Sequence, residues 1–337
     1  MKILSLFMVT LSLFLAGCQS DDSLVIYTDR HYATDDAVYD AFTEETGIPV
    51  EILSASADEL IQRIQSEGEN TPADLLFLTD IGRLERAVDA DILTAMDADI
   101  VEAVPSAYYH PDYYYTGVTK RARVLVYHPD RVSASELSTY EALADESWRG
   151  RIVLRSSQNV YNQSLFASLI ALNGEPAFDT WLNGLQANLA RRPSGNDRDQ
   201  AKAVYAGEAD VAIMNTYYMG KMAFSDDPFE RAVAEELAVF FPNQETTGTH
   251  VNVTGLGLVK ASPKQAEASQ LIAYLLSPNV QNVFASTNFE YPVVDAADTH
   301  PYIAAWGRFS EQPINLSVLG DWYQTVSIKV DESGFDQ

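Results

Sequence analysis

Two tyrosines stand side by side in VAIMNTYYMG, residues 211–220, where an apolar, strand-like run has just ended. Neighbouring residues of a strand face opposite ways, so Tyr217 and Tyr218 can converge on one point only if the backbone turns after Asn215. A lone Tyr-Tyr pair is ordinarily core filler, its hydroxyls bonded to backbone. Two other places in the chain repeat the pattern. LVIYT leads through Asp29 and Arg30 to His31 and Tyr32, and RIVLRSS leads through Gln158, Asn159 and Val160 to Tyr161. Three strand-to-helix junctions therefore offer four phenols and one imidazole. Ligands of open α/β sheets bind beyond the carboxyl ends of the strands, and helix N-termini favour negative charge there.

A phenol titrates near pH 10, so neutral tyrosines are only donors and acceptors of hydrogen bonds. A highly charged bound cation changes that, because its field deprotonates the ligands it binds. Phenolate oxygen is a hard donor, and tyrosinate is a known ligand of iron. A soft metal would want Cys or Met, zinc would show His/Cys or His/Glu sets, and Mg²⁺ or Ca²⁺ would want carboxylates. This donor set favours ferric iron. The same residues kept neutral, with an arginine, describe the alternative: a receptor for an anion or small organic ion.

The surrounding elements must bring these residues together. LVIYT, VEIL and ADLLFLT read as strands, separated by helices from Asp35 to Thr46, capped by Thr34 and ended by Gly47, and over ADELIQRIQSEG. Strands alternating with helices predict a parallel α/β sheet. VLVY can leave this first unit. A second α/β unit follows, from RIVLRSS through the helix NQSLFASLIALNG to ADVAIMN, with a short helical MGKMAF after the tyrosine pair. HVNVTGLGLVK is strand-like again and SPKQAEASQLIAYLLS is an amphipathic helix, while the chain from about Tyr291 is less regular. The run AYYHPDYYYTG reads as a packed connection. No flexible Gly/Ser linker separates the halves, so strands are expected to join them.

With 337 residues, 47% of them hydrophobic, the chain can build two cores. A formal charge of −26 argues against nucleic acid as a partner and is compatible with a cationic ligand, although most of the carboxylates read as solvated surface. The start, MKILSLFMVTLSLFLAGCQSDD, has Lys2 and then a short apolar run, which is a signal peptide rather than a span. It ends in Leu15-Ala16-Gly17-Cys18, a pattern resembling a lipobox, with residues 1–17 removed and the single cysteine of the chain, Cys18, lipidated. Residues 18–23 would then be a lipid-anchored tether. The motifs GxSxG, HExxH and a phosphate loop are absent, so an enzyme is not expected.

Several segments together resemble the periplasmic ferric-iron-binding proteins of ABC importers, in the cyanobacterial-type branch: YTDRHYATDDAVYDAFTEETGI, ADELIQRIQSEGENTPADLLFLTD, TKRARVLVY, LSTYEALADESWRGRIVLRSSQNVYNQSL, GEADVAIMNTYYMGK and FFPNQETTGTHVNVTGLGLVK. The resemblance covers essentially the whole chain after Cys18. It implies a two-lobed type II periplasmic-binding fold, each lobe a mixed sheet flanked by helices, with the ligand in the cleft. Residues 24–120 plus 245–290 would form the N-terminal lobe, and 121–244 plus 291–337 the C-terminal lobe. The family's metal ligands fall on His31, Tyr32, Tyr161, Tyr217 and Tyr218. An exogenous anion or water completes the shell in some members. The expected role is a monomeric, lipid-anchored periplasmic receptor that hands Fe³⁺ to an ABC permease.

Arg121 and Arg123, in TKRARV, lie where the chain enters the second half. One of them can face the cleft and bond a phenolate or an anion, or both can serve as ion pairs between the halves; the resemblance points to Arg121 behind the ligands. Asp80 and His250 also lie near strand ends. Asn196-Asp197 reads as a helix cap, and His128 and His300, each before a proline, as loop residues. Relatives often carry Gly-Arg after the tyrosine pair, whereas this chain has Gly220-Lys221. Lysine cannot make the bidentate contact of arginine.

Overall fold

The computed structural model describes residues 23–30 and 32–337. The signal segment, Cys18, most of the tether and His31 lie outside the described residues. The first run of elements is β1 (Leu24–Thr28), α1 (Ala33–Thr46), β2 (Val50–Ser54), α2 (Ala57–Glu67), β3 (Leu75–Leu78), α3 (Leu84–Asp89), β4 (Leu93–Thr94) and α4 (Ala98–Val101). A 13-residue strand, β5 (Tyr115–Tyr127), leads out of it. Next come β6 (Ile152–Val153), α5 (Val160–Asn173), α6 (Glu175–Asn188), α7 (Asp197–Ala206), β7 (Val211–Asn215), α8 (Thr216–Ala223), α9 (Pro228–Glu236) and β8 (Ala238–Phe240). The chain then returns through β9 (Val251–Val259), α10 (Gln265–Leu275), α11 (Pro278–Asn288), β10 (Tyr291–Pro292), α12 (Pro301–Ala304) and α13 (Tyr323–Ser333).

The strands lie in the order β2-β1-β3-β9-β5-β7-β6, with β4 on β9 and both β8 and β10 on β5. β1 pairs in parallel with β2 and β3, and β6 with β7, as alternation of strands and helices requires. β9 runs antiparallel to β3 and β5, and β5 antiparallel to β7. The sheet is therefore mixed, not wholly parallel as alternation alone suggests. β9 is the reason: it comes home from the second unit and inserts between β3 and β5. Along β5, residues 115–122 pair with β9 and residues 123–127 with β7, so one strand serves both halves.

Burial explains the elements. β1, β3, β7 and β9 are buried along their whole length, which is why they read as continuous apolar runs. Helix α2 starts at a capping box of Ser56 and Glu59 and buries Leu60, Ile61 and Ile64. Helix α1 begins two residues earlier than Thr34 predicts: Tyr32 is its N-cap, and Thr34 lies inside it, its hydroxyl donating to Asn288 Oδ1 at 2.9 Å. Gly47, at φ 75°, ends that helix as predicted. AYYHPDYYYTG is the packed connection expected, with Tyr108 and Tyr115 buried. The last segment is more regular than it reads, since α13 packs on α5 and α6.

Candidate metal centre

Each tyrosine of the three junctions sits at a helix N-terminus. Tyr32 is the N-cap of α1, Tyr161 lies in the first turn of α5 behind the cap Asn159, and Tyr217 and Tyr218 lie in the first turn of α8. The tyrosine pair belongs to the helix itself rather than to a loop before it. Asn159 Oδ1 accepts from the Tyr161 N–H at 3.0 Å, which sets the direction of the first turn of α5.

These four side chains line one cavity of about 500 Å³ together with Asp29, Thr79, Arg155, Asn159, Asn196 and Arg198. The ring centroids of Tyr32 and Tyr217 are 6.2 Å apart, edge to face, and those of Tyr217 and Tyr218 are 4.0 Å apart. The two halves of the molecule thus meet at Tyr32 and Tyr217. Asp29 holds the Thr79 N–H at 2.6 Å and the Thr79 hydroxyl at 3.1 Å, fixing the end of β1 to the end of β3. His31, the remaining candidate, lies outside the described residues.

Arginines back the phenols. Arg121 is fully buried, with its guanidinium carbon 5.1 Å from the centroid of the Tyr161 ring. It donates to the Thr79 carbonyl and the Thr254 hydroxyl and lies 3.4 Å from Glu290 Oε1. Arg123 instead turns into the second half, where it bonds Asp197 at 2.6 Å and Asn162 at 2.6 Å. Arg121 thus combines both openings that the sequence offered, lying against the Tyr161 ring and pairing with Glu290, whereas Arg123 pairs only within the second half. Asn196 is a helix cap, as expected, bonding the Arg198 and Asp199 amides at the start of α7. Asp80 and His250 are buried away from the cavity wall, Asp80 bonded by Tyr323 and Asn252, and His250 held between Ser164 and Gln312. His300 is a loop residue, as expected, and its side chain caps α12.

Two arginines that sequence reasoning passed over also reach the site, as does Lys221, which stands where relatives often carry arginine. Arg155 and Arg198 line the cavity, and the Arg155 guanidinium lies 5.6 Å from the Tyr161 ring. The Lys221 ammonium lies 4.0 Å from the Tyr32 ring centroid and 5.5 Å from that of Tyr217. It lies one turn after Tyr217, and residues at i and i+4 share a helix face.

Electrostatics keep Tyr32, Tyr217 and Tyr218 protonated in the absence of a cation. Burial pushes Tyr32 and Tyr217 well above the ordinary phenol range, and repulsion from the other tyrosinates adds to it; Arg121 opposes the shift. Tyr218 is pushed up to about 12 by burial, then by the charges of Asp197 and Tyr161. A cluster whose members raise one another's pKa is one that a concentrated positive charge can empty of protons together. Among the described residues no group of three or more His, Cys, Asp or Glu could hold a metal ion. Four of the residues that line the cavity are tyrosines, whose phenolate oxygen is a donor that hard trivalent ions favour.

The sequence profile described as "Bacterial extracellular solute-binding protein" matches residues 27–282. The chain is 45% identical to iron uptake protein A1 of Synechocystis over 92% of its own length and 86% of that protein's. Among solved structures, it superposes on Trichodesmium FutA (IdiA) in complex with iron and citrate ligands with a TM-score of 0.89, at 42% identity, covering 93% of this chain and 99% of that one. The ferric binding protein of Campylobacter jejuni gives a TM-score of 0.88 at 36% identity, with the same coverage.

Proposed function

The chain belongs to the bacterial extracellular solute-binding protein family, and on that premise we propose that it captures ferric iron outside the cytoplasm through tyrosinate ligands and delivers it to an ABC permease. One observation carries the reading: four tyrosines from three separate strand-to-helix junctions line one cavity at which the two halves meet. Relatives named for iron uptake and ferric binding support the cargo, and they are binding proteins rather than enzymes.

The mechanism follows from the residues. Tyr32, Tyr161, Tyr217 and Tyr218 each give up a proton to the medium as the cation enters, and the spread phenolate charge offsets the charge of the ion. His31 would join them as a neutral imidazole. Arg121, against the Tyr161 ring, stabilises the phenolate and fixes the ring's direction. Arg155 and Arg198, at the cavity wall, are placed to receive an anion or water that completes the coordination. Because ligands come from both halves, the ion is bound most tightly with the halves together, and opening lowers its affinity for delivery.

The two wall arginines also favour a second reading, in which the tyrosines stay neutral and the cargo is an anion or a small organic ion. A visible spectrum with metal analysis separates the two. Protein loaded with Fe³⁺ and desalted should be coloured, with about one iron per chain, and should bleach on acidification as the phenolates are protonated. Colourless, iron-free protein that binds an anion would overturn the ferric reading.

Anchoring completes the proposal. No helix among the described residues is long and apolar enough to cross a membrane. A diacylated or triacylated Cys18 would hold the protein at the membrane surface near its permease, since two acyl chains suffice for stable attachment. Intact-mass measurement of the membrane-extracted protein should show a chain starting at Cys18 with added acyl mass, and Cys18→Ser should abolish it. An unmodified Cys18 in the mature chain would overturn the anchor.

A further inference from the structure

Behind the tyrosines lies a buried cluster of charge that ion binding alone does not explain. Arg30 is 3% exposed, and Arg121 and Glu290 are 0% exposed. Arg30 donates from Nη2 to Glu290 Oε2 at 2.9 Å and from Nη1 to Glu290 Oε1 at 3.2 Å, while its Nε meets Asp35 Oδ2 at 2.5 Å. Arg121 Nη1 lies 3.4 Å from the same Glu290 Oε1. Both guanidiniums also reach the Thr254 hydroxyl.

Each of the two arginines faces a tyrosine of the cavity. The Arg30 guanidinium carbon is 4.5 Å from the Tyr32 ring centroid, and that of Arg121 is 5.1 Å from the Tyr161 ring. Tyr32 follows a strand of the first half and Tyr161 begins a helix of the second. Among the described residues Glu290 is thus the one carboxylate that touches both cations and, through them, one tyrosine on either side of the cavity. We infer that Glu290 is a positioning residue of the metal site, fixing Arg30 against Tyr32 and Arg121 against Tyr161 and balancing their charge. The inference rests on the reading that these tyrosines bind the ion.

The backbone around Glu290 is built to hold it still. Phe289 adopts a left-handed conformation, φ 58°, at the end of α11, and its ring presses on Gly220 of the helix that carries Tyr217 and Tyr218. On the other side, Tyr291 pairs with Lys120 of β5, one residue from Arg121. Gln281 and Asn288 flank the turn as further buried polar residues, and Gln281 donates to the Val118 carbonyl at 2.8 Å. With both neighbours fixed, the carboxylate has little freedom to seek other partners.

Charge gives the device its effect. Arg30, Arg121, Asp35 and Glu290 sum to zero, so the two arginines behind Tyr32 and Tyr161 add no net charge to that of Lys221 and Arg155, the other cations beside those rings. Without the carboxylate the cluster carries a net positive charge in a medium of low dielectric. That charge repels the ion. It also draws electron density from the phenolates, so the transition from phenolate to iron needs more energy.

The test compares iron-loaded wild type, Glu290→Gln and Glu290→Asp by visible absorbance and by the rate of iron release to a strong chelator, with circular dichroism to establish the fold. Glu290→Gln should move the charge-transfer band to shorter wavelength and speed release at least tenfold. Glu290→Asp keeps the charge but shortens the reach, and should shift both in the same direction by less. If Glu290→Gln does not fold, the aspartate variant decides by the same two readouts. Folded variants with the wild-type band overturn the inference, even if release is faster, because a merely structural role changes stability and not the phenolate donors. A wild type with no charge-transfer band overturns the tyrosinate reading, and this inference with it.

Discussion

Removing a single oxygen from Tyr161 leaves its ring, which is buried at the start of α5, able to pack as before. Tyr161→Phe should therefore fold normally and bind iron at least roughly 10–100-fold more weakly, the cost that loss of an outer-shell partner alone can carry. Titration with iron against a competing chelator, followed by colour, measures it; unchanged affinity would exclude Tyr161 as a ligand. Tyrosines were legible because a phenol at a strand-to-helix junction has few structural reasons to be there three times over. Glu290 was not. Its partners, Arg30 and Arg121, are far from it in the chain, and an isolated Phe-Glu after a helix has no local pattern that marks a buried ion pair. Arg155 escaped for a related reason: it follows the short β6 and reads as an ordinary surface cation until the fold lays it beside Tyr161.

At the level of elements, α8 shows how a helix can be placed by what is missing from it. A Cβ at Gly220 would lie 2.4 Å from Cγ of Phe289, so the helix can approach the α11–β10 turn only with glycine there. Gly220→Ala should push α8 or the Phe289 ring aside, at a cost of about 1–3 kcal/mol in stability. Iron affinity should fall as well, although Gly220 offers no ligand, because Tyr217 and Tyr218 move with the helix. A thermal melt and an iron titration on the same sample check both; a lower melting temperature with unaltered affinity would show that α8 is placed independently of that turn. Helices were legible from caps and apolar stripes, as at Ser56 and Glu59 of α2. Their exact starts were less so. Tyr32 took the cap position from Thr34 because the tertiary contact between the Thr34 hydroxyl and Asn288 outweighed the local preference for threonine as a cap.

For the whole molecule, β5 is the strand that both halves share, its first part paired with β9 and its last part with β7. His250 immediately precedes β9 and is fully buried, with its ring bonded to Ser164 Oγ at 3.0 Å and Gln312 Oε1 at 2.8 Å. Burial, opposed by the Gln312 bond and assisted by Arg123, lowers its pKa to about 4. The unfolded chain takes up this proton near pH 6.5 and the folded one only near 4, so stability is lost as pH falls through that window. The loss approaches about 3 kcal/mol for a shift of this size. His250→Gln should flatten the dependence of unfolding free energy on pH between about 6.5 and 4; an undiminished slope would assign it to other groups. Iron should also bring the halves together, and small-angle scattering should give a smaller radius of gyration for the loaded protein. Equal radii would mean that the site is preformed. Two α/β units joined by strands were legible from alternation and from the lack of a linker. The mixed direction of the sheet came from the family resemblance and not from the pattern itself, because nothing in HVNVTGLGLVK says that this strand travels back to lie between β3 and β5.

That return has a consequence for a chain made from one end to the other. When β1, β2, β3 and β5 have left the ribosome, the place between β3 and β5 is still vacant, and it stays so until all of β9 has emerged. The nascent first half cannot finish its own sheet while the second half is being synthesised. Its central hydrogen bonds join segments far apart in the chain, a topology that folds slowly. Such a polypeptide remains unlocked through most of its translation, a condition suited to threading through a narrow secretory channel before it commits to a shape.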